Sequence, residues 1–257
     1  MIDSHAHLAM FPAAERHEVL ARARAAGVGA VLAPATGPED LDEVLRLVEE
    51  IPGTVFGALG FHPHEARHLD QGWKRRLEAG LEREGIVAIG EIGLDYHYDH
   101  SPREDQRAAL AWQLGLARER TLPVVLHQRE AWQDFLADLD AGGGVRGVAH
   151  SFTESADGTA AVIARGLFVG ISGMITFPRA DNVRDAALAT PEDMLLVETD
   201  SPYLAPVPWR GRRNEPAFVR FVAEAAARVR GVELATIERA TDAAFAALFL
   251  AARVSSG

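Results

Sequence analysis

The chain has 257 residues, 48% of them hydrophobic and 25% charged, which excludes a disordered chain and a small stapled scaffold and allows a large buried core. A formal net charge of -11 argues against a protein that grips duplex phosphate on a broad basic face, and the absence of cysteine removes disulfides, thiol nucleophiles and Cys-ligated zinc. Lys74, in the polar helical stretch Trp73-Lys74-Arg75-Arg76, is the only lysine, so a Schiff-base lysine or a modified lysine bridging two metals has no well-placed residue.

Taken in chain order, short apolar runs at residues 2–7, 28–34, 54–60, 86–91, 122–127, 145–150, 166–171 and 194–200 alternate with helix-like stretches such as 13–26, 38–50, 103–120 and 215–230. Continuous apolar strands separated by helices predict a parallel sheet covered by helices. Eight such units in a chain of this length predict an α/β fold, a (β/α)8 TIM-type barrel forming a single domain over 1–257. A doubly wound open sheet is the alternative, but no glycine-rich phosphate turn follows the first strand. The apolar run 243–252 is too short to span a membrane and predicts a C-terminal helix. Met1-Ile2-Asp3 enters the strand pattern without a basic region and an apolar stretch, so the expectation is a cytoplasmic protein with no signal peptide and no membrane or obligate protein partner.

In a barrel, side chains at the C-terminal strand ends converge on one mouth. Here the first strand closes with His5 and His7 and the third runs into His62. The fourth, fifth, sixth and eighth end in Glu91, His127, His150 and Asp200. Asp3, His5 and His7 alternate along one strand and share a face. Each histidine alone reads as a hydrogen-bonded structural residue. Four histidines and two carboxylates predicted at one mouth are a different matter, because burying so many polar groups without a partner costs several kcal/mol. Divalent cations would supply that partner. The donors exceed the three protein ligands usual for one catalytic zinc, which predicts a binuclear centre with Glu91, midway around the barrel, as the bridge.

The order of motifs carries a resemblance. The segments Asp3-Ser4-His5-Ala6-His7, Gly60-Phe61-His62-Pro63-His64, Gly90-Glu91-Ile92-Gly93-Leu94-Asp95, His127-Gln128-Arg129-Glu130-Ala131, Glu198-Thr199-Asp200-Ser201-Pro202-Tyr203-Leu204-Ala205-Pro206 and Arg210-Gly211-Arg212-Arg213-Asn214-Glu215-Pro216 span nearly the whole chain. The chain resembles the TatD family of metal-dependent deoxyribonucleases, within the metallo-dependent hydrolase barrels. The resemblance implies that His5, His7, Glu91 and Asp200 hold one metal and that Glu91, His127 and His150 hold the other. It also implies that His62 and His64 line the site without being primary ligands. Three positions depart from the family pattern: Ala6 stands where Cys is common, Ser151-Phe152-Thr153-Glu154 replaces a Cys-Phe-Ser-Gly-like run, and Ala244 stands where Asn is expected.

The expected catalytic set is Glu91, Asp200 and His62, with Asp200 orienting and deprotonating the attacking water. His64, Arg129, Arg210, Arg212 and Arg213 are expected substrate contacts, since guanidinium pairs bidentately with phosphate. Asp95 reads as the cap of the turn after the fourth strand. Glu198 reads as a supporting salt bridge, and Phe61, Tyr96, Tyr98, Phe152 and Trp209 as possible stacking surfaces for unpaired bases. The expected activity is hydrolysis of DNA phosphodiesters at single-stranded ends with two ions of Mg, Mn or Zn. Two alternatives stand beside it. One is a D-aminoacyl-tRNA deacylase, as some family members are; the other is a catalytically silent metal- or partner-binding barrel.

Overall fold

The computed structural model describes residues 1–251. Its strands are β1 (Ile2–Asp3), β2 (Ala30–Pro34), β3 (Val55–Leu59), β4 (Ile86–Asp95), β5 (Val124–Arg129), β6 (Gly147–Ala149), β7 (Leu167–Ile171) and β8 (Leu195–Val197). They form one eight-stranded sheet whose neighbours follow chain order and pair in parallel. Helices α1 (Ala13–Ala25), α2 (Leu41–Glu50), α3 (Gln71–Leu81), α4 (Arg103–Arg120), α5 (Trp132–Ala141), α6 (Ala156–Ile163), α7 (Asp181–Ala189), α8 (Val219–Arg230) and α9 (Leu234–Phe245) surround it. This is the (β/α)8 barrel that the alternation predicts.

Alternation along each strand divides the core in two. Leu32, Ala58, Val125, Val148, Phe168 and Leu196 point into the barrel, where Phe245, Leu248 and Phe249 join them. Their neighbours Val31, Leu59, Val124, Ala149, Val169 and Val197 face the helices. The inward parity carries forward to His62 beyond β3, His127 on β5, His150 beyond β6, and Glu198 and Asp200 beyond β8. Glu91 breaks the rule, because strict alternation from the inward Ala88 would turn Gly90 and Ile92 inward instead. The pairing of β4 with β5 shifts register between Ile89 and Ile92, and this irregularity turns Glu91 toward the axis.

The ladders at the seam are shorter than the apolar runs. β1 ends at Asp3 and β8 at Val197, and closure passes to single backbone and side-chain bonds. Ser4 N donates to Val197 O (3.1 Å), Asp200 N to His5 O (2.9 Å) and His7 N to Ser201 O (2.7 Å). The Asp3 carboxylate accepts from Thr199 N (2.9 Å) and Thr199 Oγ1 (2.6 Å). Asp3 thus shares a strand with His5 and His7 but serves the seam, where burial pushes its pKa up to about 8 against the hydrogen bonds from Thr199.

The helical expectations need small adjustments. Residues 103–120 match α4 at both ends. The 38–50 stretch becomes helical only at Leu41, after a turn in which the Asp40 carboxylate accepts from Thr36 N and Gly37 N. The 215–230 stretch opens with a 3-10 turn, Pro216–Phe218. The apolar run 243–252 ends α9 and continues as a π-type turn, Ala246–Leu250; its last residue, Ala252, lies outside the described residues. Among the described residues, no helix is long and apolar enough to cross a membrane. Lys74 on α3 places its ammonium 4.9 Å from the centre of the Trp112 ring on α4.

Gly90 and Gly93 are positions where β4 tolerates no side chain, and Gly93 is the tighter. Its φ is +149°, and a Cβ would collide with the backbone carbonyl of His127. Gly93→Ala is expected to cost on the order of 3 kcal/mol, from backbone strain and overlap together. Thermal denaturation measures it, and a variant as stable as the parent would refute the close β4–β5 approach.

Candidate metal centre

Glu91, 2% exposed, occupies the middle of the barrel mouth, and its two carboxylate oxygens face different neighbours. Oε2 lies 3.3 Å from His5 Nε2 and 3.5 Å from His7 Nε2. On that side His5 Nε2 and His7 Nε2 are 3.2 Å apart, and Asp200 Oδ1 lies 3.3 Å from His7 Nε2 and 3.9 Å from His5 Nε2. Oε1 lies 2.9 Å from His150 Nε2, 3.1 Å from His127 Nδ1 and 3.4 Å from His62 Nε2. His127 Nδ1 and His150 Nε2 are 3.2 Å apart. The structure therefore brings His5, His7, Glu91, His127, His150 and Asp200 into one cluster and adds His62 to its edge.

Charge follows from this crowding. Burial pushes the Glu91 carboxyl up, but the charge of His150 foremost, with the facing rings of His62 and His5 and the hydrogen bond from His127, wins and holds it well below the usual range. Burial likewise opposes ionisation of Asp200, and the hydrogen bond from His7 together with the charges of His150, His5 and His7 outweighs it. Burial alone would lower His7, His127 and His150. Asp200 and Glu91 raise His7, Asp95 and Glu91 raise His127, and Glu91 and Glu198 raise His150 well above an ordinary imidazole. His5, stacked on His150 with ring centroids 4.0 Å apart, goes the other way, lowered by burial and by the charge of His150.

His62 differs from the rest. Burial lowers its pKa to about 4, so the ring is neutral at pH 7. Its Nδ1 accepts from His64 N (3.2 Å), which leaves the proton on Nε2, the atom facing Glu91. A ring fixed in that tautomer is a hydrogen-bond donor at the mouth, with no free lone pair to offer a cation.

Carboxylates behind the imidazoles fix their orientation. Asp95 Oδ2 lies 3.2 Å from His127 Nε2 and 3.1 Å from His64 Nε2, while Oδ1 accepts from His97 N and Tyr98 N. The turn-capping role expected of Asp95 is therefore one half of what it does. Glu198 Oε1 accepts from Ser151 N (2.6 Å) and lies 3.3 Å from His150 Nδ1. Asp200 itself sits at φ 55°, a left-handed conformation that costs about 1–2 kcal/mol. Two buried glutamines of α4 tie the loops down: Gln106 bonds both backbone groups of Asp95, and Gln113 both those of Phe61.

The donor set fits divalent cations. Two atoms that ligate one ion at about 2.0–2.2 Å stand about 3–3.5 Å apart, the spacing seen on both sides of Glu91. His5 Nδ1 and His7 Nδ1 are buried without a hydrogen-bond partner, while their Nε2 atoms converge 3.2 Å apart beside Glu91. Charge neutralisation by a cation accounts for a cluster that protons alone hold at high cost.

Comparison with known proteins places this geometry. The description of the TatD related DNase family matches residues 2–250. The chain belongs to that family. It is 40% identical over 260 residues to the uncharacterized metal-dependent hydrolase YcfH of Escherichia coli K12, covering 97% of this chain and 95% of that protein. It is 36% identical to the 3'-5' ssDNA/RNA exonuclease TatD of Rahnella sp. strain Y9602, with 89% of each covered. Among solved structures, the TatD homolog YjjV of Escherichia coli K12 superimposes with a TM-score of 0.84 at 31% identity, covering 97% of this chain and 98% of that one. The chain is accordingly a metal-dependent hydrolase of ester bonds, as the TatD motifs implied.

The expected substrate contacts of this TatD member lie around the mouth. His64 bonds Asp95, and the Arg129 guanidinium lies 4.8 Å from the centre of the Tyr98 ring. Arg210 covers Phe177, Arg212 covers Trp209, and Arg213 covers Phe11 while pairing with Glu15. These three guanidiniums rest on aromatic faces of outer loops, outside the imidazole cluster. Of the five aromatic candidates, Phe61 and Phe152 are core, Trp209 stacks on Phe218, and Tyr96 bonds Asp134, which leaves Tyr98 exposed. Tyr203, two residues from the Asp200–Ser201 pair, was not singled out by the sequence because it reads as part of a proline-rich loop.

The raised imidazoles have a measurable consequence. His150 is held well above an ordinary imidazole and His7 and His127 are shifted the same way, so the cation-free protein favours protonated rings and a cation must displace those protons. Manganese affinity is therefore expected to rise as pH increases through the raised imidazole values, with protons released on binding at pH 7. Calorimetric titration in buffers of different ionisation enthalpy counts those protons. Zero release between pH 6 and 8 would contradict the protonation scheme.

Proposed function

We propose that this protein is an exonuclease that hydrolyses phosphodiester bonds at the ends of single-stranded DNA, using two divalent cations held on either side of Glu91. The observation that carries the proposal is the division of labour within one carboxylate. Oε2 faces His5, His7 and Asp200, and Oε1 faces His127 and His150. A bridging carboxylate needs that disposition. The name of the Rahnella relative supports the choice of bond and strand.

When bound, two such ions polarise the scissile phosphate and favour the deprotonated form of an attacking water. The chain's own groups do the rest. Asp200, ionised and 3.3 Å from His7, orients the water and accepts its proton at a carboxylate oxygen, and the proton passes on to the sugar oxygen that leaves as its bond to phosphorus breaks. His62 Nε2–H donates to a phosphoryl oxygen as charge grows there. His64 and Arg129, beside it, are the nearest expected contacts to the phosphate, and Arg210, Arg212 and Arg213 reach phosphates further along the strand. The net charge of -11 does not oppose this, because two divalent cations would offset the carboxylates of the mouth, Glu91 and Asp200 within the cluster and Asp95 and Glu198 behind it.

Glu91→Gln tests the bridge. A neutral amide is a poor link between two cations, so turnover of a single-stranded oligonucleotide should fall more than ~100-fold. Elemental analysis should show fewer than two ions per chain. A variant that keeps both ions and more than a tenth of the parent rate overturns the assignment. Release of amino acid from D-aminoacyl-tRNA, with single-stranded DNA left intact, would replace the phosphodiester reading with carboxylic ester cleavage.

A further inference from the structure

Two exposed tyrosines stand at opposite rims of the centre. Tyr98 follows β4 and is 50% exposed; Tyr203 follows β8 and is 53% exposed. In a closed ring of eight strands in chain order, β4 and β8 are diametrically opposed. Tyr98 is one ring removed from the imidazole cluster, and Tyr203 meets it directly. Tyr98 meets His64 edge-on with centroids 5.5 Å apart, and His64 meets His62 at 4.3 Å. Tyr203 meets His7 edge-on at 6.1 Å.

Neither ring is spent on the core. Tyr98 lies parallel to His100 (11°, 5.5 Å) and under the Arg129 guanidinium, so three flat, exposed π systems form one pile. Tyr203 directs its hydroxyl to Met10 Sδ (3.4 Å), and Met10 is itself 43% exposed. Large apolar faces left in water on both sides of a hydrolytic centre have a use if flat, unpaired ligand groups arrive there.

We propose that Tyr98, with His100 and Arg129, and Tyr203, with Met10, are the stacking supports for the two nucleobases that flank the scissile phosphate. This rests on the exonuclease reading and specifies its substrate. Each base must leave its neighbours and lie on opposite walls of the mouth. A single strand does so at little cost, whereas a duplex must first be unpaired and unstacked. Every base has a π face, so recognition is tolerant of sequence. Preference for single strands then resides in these two rims, and hydrolytic competence resides in the cation cluster.

Tyr98→Ala, Tyr203→Ala and the corresponding Tyr→Phe variants of the metal-loaded protein provide the test. Steady-state kinetics on a single-stranded oligonucleotide should show KM raised about 10-fold in each alanine variant with kcat nearly unchanged, and Phe should restore KM, because the ring and not the hydroxyl does the work. A merely structural role would not move the second readout, the quenching of 2-aminopurine placed at the terminal or at the penultimate nucleotide. The parent should quench both positions, and each alanine variant should lose quenching at one of them. If the parent cleaves the oligonucleotide but both alanine variants keep its KM and both quenching signals, the stacking supports are overturned and the exonuclease reading stands. If the parent leaves the oligonucleotide uncut, the exonuclease reading fails and the supports fail with it.

Discussion

The centre depends on one carboxylate taken out of water and kept ionised. Glu91 lies on a ten-residue strand that is buried throughout, an environment that favours the neutral acid. Imidazoles crowd both of its oxygens and reverse that preference. Each imidazole is in turn held from outside the cluster or across it: Asp95 behind His127, Glu198 behind His150, Asp200 beside His7. Loss of Glu91's charge would leave several raised histidines without the group that raises them. The register shift in β4 matters for that reason, since it sets the one side chain to which the other ligands answer.

Much of this was legible in the sequence. The strands announce themselves as continuous apolar runs, and in a closed parallel sheet their last residues must meet, so His5, His7, Glu91, His127, His150 and Asp200 could be grouped before any coordinates. The limits of α4 coincide with the predicted stretch 103–120; in the structure Pro102 precedes it and the chain turns left-handed at Thr121. What escaped has physical reasons. The inward turn of Glu91 contradicts simple alternation. The second carboxylate oxygen of Asp95 finds His64 and His127 through contacts more than thirty residues distant in sequence, which no local capping rule contains. The pairing of Arg213 with Glu15 and the stacking of Trp209 on Phe218 are tertiary facts of the same kind. Tautomer also lies beyond sequence: His62 is a donor only because the backbone of His64 reaches its Nδ1.

The distribution of charge reconciles an acidic chain with an anionic substrate. Much of the acid lies on the helical shell in local pairs with arginine, such as Arg22 with Glu215, Arg107 with Asp138 and Arg165 with Asp140. Pairs this exposed contribute little to stability, commonly under about 1 kcal/mol each. Their effect is to spread the negative charge around the circumference, while the carboxylates of the mouth face imidazoles.

The seam between β1 and β8 gives the fold a particular place to open. The bonds that close the barrel run through Ser4, His5, His7, Thr199, Asp200 and Ser201, and three of these residues, His5, His7 and Asp200, are positioned to hold a cation. Ring closure and assembly of one ligand set are thus a single event. A cation held by His5, His7 and Asp200 rivets the first strand to the last. Chelation would remove the rivet, and the amides of Ser4, His7 and Asp200 would become the first in the sheet to exchange with solvent, ahead of the continuous β4–β5 ladder. The first and last strands of the barrel would then part before its middle does, and the protein's resistance to proteolysis becomes a gauge of its metal supply.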